Sequence, residues 1–201
     1  EEDPPWNPIG QIQEVLQATR DRSIDAILLS AGGNDVGFAP GLKDLVKGDG
    51  FILALAGGAI SRDEVEVSAR EKLAVLPERY EELNLALQTL GVPPERIFIT
   101  EYPESLFDDP QANAGVHGLC GVFSGPGGLD MDTQDAQLIK DLNLELNNQV
   151  RAAAEAHGWT LVEGIPEGFA GRGYCSANPL YVGAEESCLR QGDFEGIMHP
   201  T

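Results

Sequence analysis

The residues best suited to chemistry stand in two short stretches near opposite ends of the 201-residue chain. The first is Ser30-Ala31-Gly32-Gly33-Asn34-Asp35, which follows directly on the apolar run Ile24-Asp25-Ala26-Ile27-Leu28-Leu29. Paired glycines let backbone approach another group closely, and the Asn34 side chain then offers two N–H donors. Donors fixed beside a tight turn suit a site where negative charge develops on an oxygen. The second stretch is Met198-His199-Pro200-Thr201. Histidine is the side chain whose ordinary pKa fits it to take up and return a proton near neutral pH.

These groups need elements to hold them. Ile9, Ile12, Val15 and Leu16 repeat at helical spacing and predict an amphipathic helix over 8–21. Ile24–Ser30 is a near-continuous apolar strand, the kind buried on both faces of a parallel sheet. Residues 40–62 are Gly-rich with no clear period and read as a lid or a loose helical excursion. Leu73, Leu76, Tyr80, Leu83, Leu87 and Leu90 predict a core-facing helix from about 64 to 90, with a kink or restart at Pro77. A second strand, Arg96–Thr100, ends in Glu101-Tyr102-Pro103, and a long loop from about 104 to 130 follows. Ile139, Leu142, Leu146 and Val150 mark a helix over about 132–157, stopped by Gly158 in the manner of a glycine C-cap. Trp159–Val162 is a third strand, and residues 164–201 are irregular and rich in Gly, Pro and Cys. Strands alternating with helices predict an α/β layered fold with a parallel sheet. In such sheets functional groups gather beyond the carboxyl ends of the strands, where Asn34, Glu101-Tyr102 and Val162-Glu163 stand.

Composition narrows the partners. The formal charge is −20, from 13 Lys and Arg against 33 Asp and Glu, and the basic residues form no stripe. Phosphate neutralisation is therefore disfavoured, and with it nucleic-acid binding and attraction to anionic lipid. The apolar run Phe51–Ile60 is too short to span a bilayer, which needs roughly 20 residues. No Asp-x-Asp-x-Asp-Gly loop and no Cys/His zinc pattern occurs, so no metal and no cofactor are expected. The chain opens Glu1-Glu2-Asp3-Pro4-Pro5 without a secretory leader, so a leader, if the protein is secreted, is removed or lies upstream. Of the three cysteines, Cys175 and Cys188 bracket a short loop-like segment. A bridge there would stiffen the approach to His199 and imply an oxidising compartment; reduced, buried thiols are the alternative. Cys120 is then free or paired outside the chain.

Gly32-Gly33-Asn34-Asp35 and His199-Pro200 resemble two sequence blocks of the GDSL, or SGNH, serine esterases and lipases of the secreted bacterial type. The third block of that family reads Gly-x-Asn-Asp, and its last ends in a catalytic His followed by Pro. Ser187–Pro200 resembles the final block, while Gly158–Ile165 and Gly173–Ser176 resemble the strand and cysteine loop before it. The resemblance covers about 24–38, 96–107 and 133–201. It implies a three-layer flavodoxin-like (SGNH hydrolase) fold, a single domain over 1–201, an extracellular location and hydrolysis of acyl or acetyl esters, lipid or small-molecule. Carried over by position, Asn34 donates its amide to the tetrahedral oxyanion and Gly33 allows the close turn that aims it. His199 takes the serine proton and returns it to the leaving alcohol.

Two departures from the family pattern matter. Many members place Asp three residues before the His; here that position is Gly196, so a backbone carbonyl, Asp193 or Glu195 is left to orient the ring. The family's nucleophile lies in a Gly-Asp-Ser motif on its first strand, and this chain has none, with only 31 residues before Gly32. Ser30, Ser61, Ser124 and Ser176 lack the motif's context. The chain therefore reads as the C-terminal portion of such a hydrolase, incomplete at its N-terminus, with the first strand and its serine missing, removed or supplied by another chain. An absent strand leaves an exposed sheet edge, which predicts pairing with an N-terminal fragment, a homodimer or a re-ordered sheet. The alternative function is a non-catalytic binding module on the same fold. Phe51–Ile60 lines an acyl pocket, acts as a lid or packs as a core helix.

Overall fold

The computed structural model describes residues 8–20, 22–37, 61–104, 133–174, 176, 178–182, 184–191 and 199. The readings made for Phe51–Ile60, the 105–130 loop with Ser124 and Cys120, Cys175, Asp193, Glu195 and Gly196 lie outside these residues. The elements run α1 (Pro8–Thr19), β1 (Ile27–Leu29), α2 (Arg62–Gln88), a 3-10 turn (Pro94–Arg96), β2 (Ile97–Thr100), α3 (Thr133–His157), β3 (Thr160–Val162), α4 (Ile165–Phe169) and α5 (Ala184–Gln191). α4 and α5 both fall within the C-terminal stretch, 164–201, expected to be irregular.

Among the described residues the sheet has three parallel strands in the order β1-β2-β3. Parallel neighbours need crossovers, and α2 and α3 lie in the two connections. The register sets Leu29 beside Ile99 and Ile99 beside Leu161, with Leu28 beside Phe98. Side chains alternate between faces, so Ile97 and Ile99 enter a core with Leu73, Leu76, Tyr80, Leu146 and Val150 from the two long helices. Leu28 points the other way and is 79% exposed, against 0% for Ile99. The expectation that this strand is buried on both faces thus fails for β1. The described helices cover the Ile97–Ile99 face, and β1, shorter than the predicted 24–30, pairs on one side only among the described residues.

The long helices follow their leucine spacing. In α2, Leu73, Leu76, Tyr80, Leu83 and Leu87 form the buried stripe. Pro77 lies inside the helix without a restart, on its exposed side. Its start carries a reciprocal cap: Ser61 Oγ accepts from the Glu64 N–H at 3.3 Å, and the Glu64 carboxylate accepts from the Ser61 N–H at 2.8 Å. Donation from the Ser61 N–H and from the Ser61 hydroxyl, both at 2.8 Å, holds the Glu64 carboxyl below its ordinary pKa. The helix begins two residues before the predicted start because Ser61-Arg62-Asp63-Glu64 is itself an N-terminal signal. At the end of α3, Gly158 adopts φ +70, the Trp159 N–H reaches the Ala154 carbonyl at 2.9 Å and the Gly158 N–H reaches Glu155. This is the expected glycine C-cap. Across the packed pair, Arg62 Nε meets Asp135 at 2.6 Å and Arg70 bonds Glu145.

Candidate functional site

The chain leaves β1 at exposed Ser30 and turns at once. Tyr80, buried in α2, donates its hydroxyl to the Ala31 carbonyl at 2.9 Å. Burial pushes the Tyr80 phenol far above its ordinary pKa, with the nearby Tyr102 and Asp35 adding to the shift, so Tyr80 stays a neutral donor. Gly32 follows with φ +114, a conformation that L side chains rarely adopt. A Cβ there would strike the Tyr80 hydroxyl and come within 3.1 Å of Leu146 Cδ1. The turn closes with Val36 N–H to Gly32 carbonyl at 3.1 Å and Gly37 N–H to Asn34 carbonyl at 3.0 Å. Its outcome is an exposed Asn34 on a buried Gly32-Gly33 base.

The carboxyl end of β2 supports this turn. The Gly33 N–H donates to the Tyr102 hydroxyl at 3.1 Å. A Cβ on Gly33 would lie 3.0–3.3 Å from the Tyr102 ring and hydroxyl, so glycine is what lets the two segments meet. Residues 101–104 are held in turn by a polar stripe on α3, where Asn143, Asn147 and Arg151 recur every four residues. Asn143 donates to the Pro103 carbonyl at 3.1 Å. Asn147, 0% exposed, accepts from the Tyr102 N–H at 2.7 Å and donates to the Tyr102 carbonyl at 2.8 Å and to Glu104 at 3.0 Å. Arg151 grips buried Glu101 through Nε at 2.7 Å and Nη2 at 2.5 Å.

Asp35, half-buried beside Asn34, has its carboxyl raised above the ordinary value by desolvation. Hydrogen bonds from its own and the Gly32 backbone N–H, with the Arg79 charge, oppose that shift. Among the described residues no cluster of His, Cys, Asp and Glu is placed to hold a metal ion, and no helix is long and apolar enough to cross a membrane.

Compared with solved structures, the chain is similar to an extracellular lipase of Streptomyces rimosus, with a TM-score of 0.62 at 21% identity over 94% of this chain and 69% of that one. It is similar also to phospholipase A1 of Streptomyces albidoflavus, with a TM-score of 0.59 at 18% identity and the same coverage. The chain has the SGNH-hydrolase fold. No protein-family model and no curated protein matches the sequence.

Within this SGNH fold, Gly33 and Asn34 share one turn at the carboxyl end of β1, where the sequence puts them. His199 arrives on a separate segment. It is exposed, and its carbonyl accepts from the Val182 N–H at 2.8 Å. Val182 follows buried Tyr181, whose ring packs edge-on against Phe169 at 5.2 Å between centroids. Among the described residues no hydrogen bond joins His199 to Asn34. The serines divide: Ser30 follows β1, Ser61 caps α2, and Ser176 Oγ is buried without a hydrogen-bond partner. Sequence reasoning placed Tyr80 in a core-facing helix stripe and Tyr102 at a strand's carboxyl end, but it missed their contacts with the turn and did not single out Asn147. Their signal was present in a tyrosine at the carboxyl end of a strand and in polar residues every four positions along a helix.

Proposed function

We propose that the protein hydrolyses carboxylic esters, acyl or acetyl, by a Ser–His mechanism in which this chain supplies the oxyanion donor and the base. The observation that carries the reading is the turn itself. Asn34 is exposed at a strand's carboxyl end, on a base fixed from α2 through Ala31 and from β2 through Gly33. A fixed donor stabilises charge without having to reorganise as the charge forms.

In the proposed reaction a serine hydroxyl attacks the ester carbonyl while His199 takes its proton. The tetrahedral oxyanion receives the Asn34 amide, with Gly33 giving the turn its close approach. Collapse expels the alcohol, which leaves with the proton from His199, and an acyl-enzyme remains. Water then attacks the acyl carbon, His199 takes its proton and passes it to the serine, and the acid departs. The backbone carbonyl of Gly196, Asp193 or Glu195 holds the imidazole.

The serine in this reading lies outside the chain, on a strand that joins the sheet beside β1. Two facts support it: the chain holds no Gly-Asp-Ser, and β1 keeps one side unpaired among the described residues. That strand comes from an N-terminal segment, and a homodimer through the same edge is the competing arrangement. The substrate is a lipid or small-molecule ester. The likeness to an extracellular lipase supports secretion, and a secreted protein accommodates a Cys175–Cys188 bridge.

Hydrolysis of p-nitrophenyl butyrate and p-nitrophenyl palmitate by this chain and by an N-terminally extended form tests the proposal. The extended form is expected to turn over and to lose activity with His199→Ala, while this chain alone does not turn over. Activity in this chain alone would refute the external serine. Inactivity in both forms would favour a non-catalytic binding module.

A further inference from the structure

The contacts behind the Gly33-Asn34 turn form a continuous path from α3 to the donor. We propose that Tyr102 is a positioning residue, whose hydroxyl fixes the Gly33 N–H and thereby aims the Asn34 amide, and that Asn147 sets Tyr102 in place. This inference rests on the ester-hydrolase reading above.

Three features carry it. First, Tyr102 is constrained at both ends of its residue. A single side chain, Asn147, satisfies its backbone N–H and carbonyl together at 2.7 and 2.8 Å. A side-chain amide used this way replaces a neighbouring strand, and at 0% exposure it has no water to compete with. Its third bond, to Glu104 at 3.0 Å, fixes the orientation of the amide. Second, the Tyr102 hydroxyl accepts from the Gly33 N–H at 3.1 Å. That bond and the Val36 bond to the Gly32 carbonyl hold the Gly32–Gly33 peptide, and the Gly37 bond holds the peptide that follows Asn34. Third, the ring lies against Gly33 so closely that a Cβ would sit 3.0 Å from its edge, leaving the turn little room to shift toward β2.

The consequence is mechanistic. An oxyanion donor works within roughly 2.7–3.1 Å of the developing charge, and small displacements cost rate steeply. Tyr102 is assigned no contact with reacting atoms, so its effect on the reaction must pass through Asn34.

Tyr102→Phe removes only the hydroxyl and keeps the ring. In the serine-bearing enzyme, the Gly33 amide is expected to exchange with solvent deuterium about tenfold faster by NMR, while α3 amides are unchanged. On p-nitrophenyl butyrate, kcat is expected to fall about tenfold with KM within about twofold. Placed on top of Asn34→Ala, the same change is expected to lower kcat no further. A fall of equal size with and without Asn34, or an unaltered Gly33 exchange rate, would overturn the inference while leaving the ester-hydrolase reading intact. A parent enzyme that hydrolyses no ester would overturn both.

Discussion

Removing Arg151 tests how the carboxyl end of β2 is held. Glu101 leads that end, and its side chain is only 4% exposed, whereas that of Arg151 is 40% exposed. Both guanidinium bonds, at 2.7 and 2.5 Å, go to the same carboxylate oxygen. In Arg151→Ala the carboxylate stays buried and loses its cation. Breaking a buried pair from one side costs roughly 3–5 kcal/mol. Because Arg151 is partly wet, water can enter the space it leaves, which moves the expected cost to about 2–3 kcal/mol. For a chain of 201 residues, an unfolding entropy of about 2.1 cal/mol/K per residue converts this to a fall in Tm of about 5–7 °C. Differential scanning calorimetry at pH 7 reads it directly. Adding Glu101→Gln to Arg151→Ala is expected to recover at least about 2 °C, since a neutral amide is cheaper to bury than a carboxylate. A Tm change under about 1 °C in the single variant, or a double variant no more stable than the single, would refute the uncompensated-charge explanation.

Two further substitutions probe the frame around the turn. Ser61→Ala removes the acceptor that caps α2 and is expected to lower Tm by about 2 °C, measured by thermal circular dichroism; an unchanged Tm would mean the cap contributes nothing. Asp35→Asn tests the raised carboxyl. Its folded pKa lies above the ordinary 3.8, so the native state binds that proton more tightly than the unfolded chain. Stability is then lost as pH rises from about 3.8 through the folded value. The asparagine variant should gain stability relative to the parent at pH 7 and lose that advantage at pH 3, as read from urea melts. A larger advantage at pH 3 would contradict the burial of Asp35.

Much of the frame was legible because its signals are local. The leucine stripe of α2 and the Ile139–Val150 stripe of α3 report buried helix faces, and Gly158 reports a helix end. Gly32-Gly33-Asn34-Asp35 reports a turn because a positive φ and a close approach demand glycine at Gly32 and Gly33. What was not legible depends on pairings between distant residues. Gly33 meets Tyr102 across 69 positions and Arg62 meets Asp135 across 73, and no spacing rule encodes such contacts. Leu28 shows the converse. An apolar run predicts burial, but whether both faces are covered depends on which elements pack there, and at β1 the described elements pack on one face. His199 was singled out by its resemblance to a family motif, since the sequence before it carries no periodicity.

The kinetics of Asn34→Ala test most directly whether Asn34 is the oxyanion donor of an ester-hydrolysing site. The side chain is exposed and the turn beneath it is held by backbone and tyrosine contacts, so the substitution should leave Tm within about 2 °C. In the serine-bearing enzyme, kcat for p-nitrophenyl butyrate is predicted to fall about 100- to 1,000-fold with KM little changed, as befits a contact made in the transition state. A fall of less than about threefold, with the fold intact, would mean that Asn34 is not the oxyanion donor.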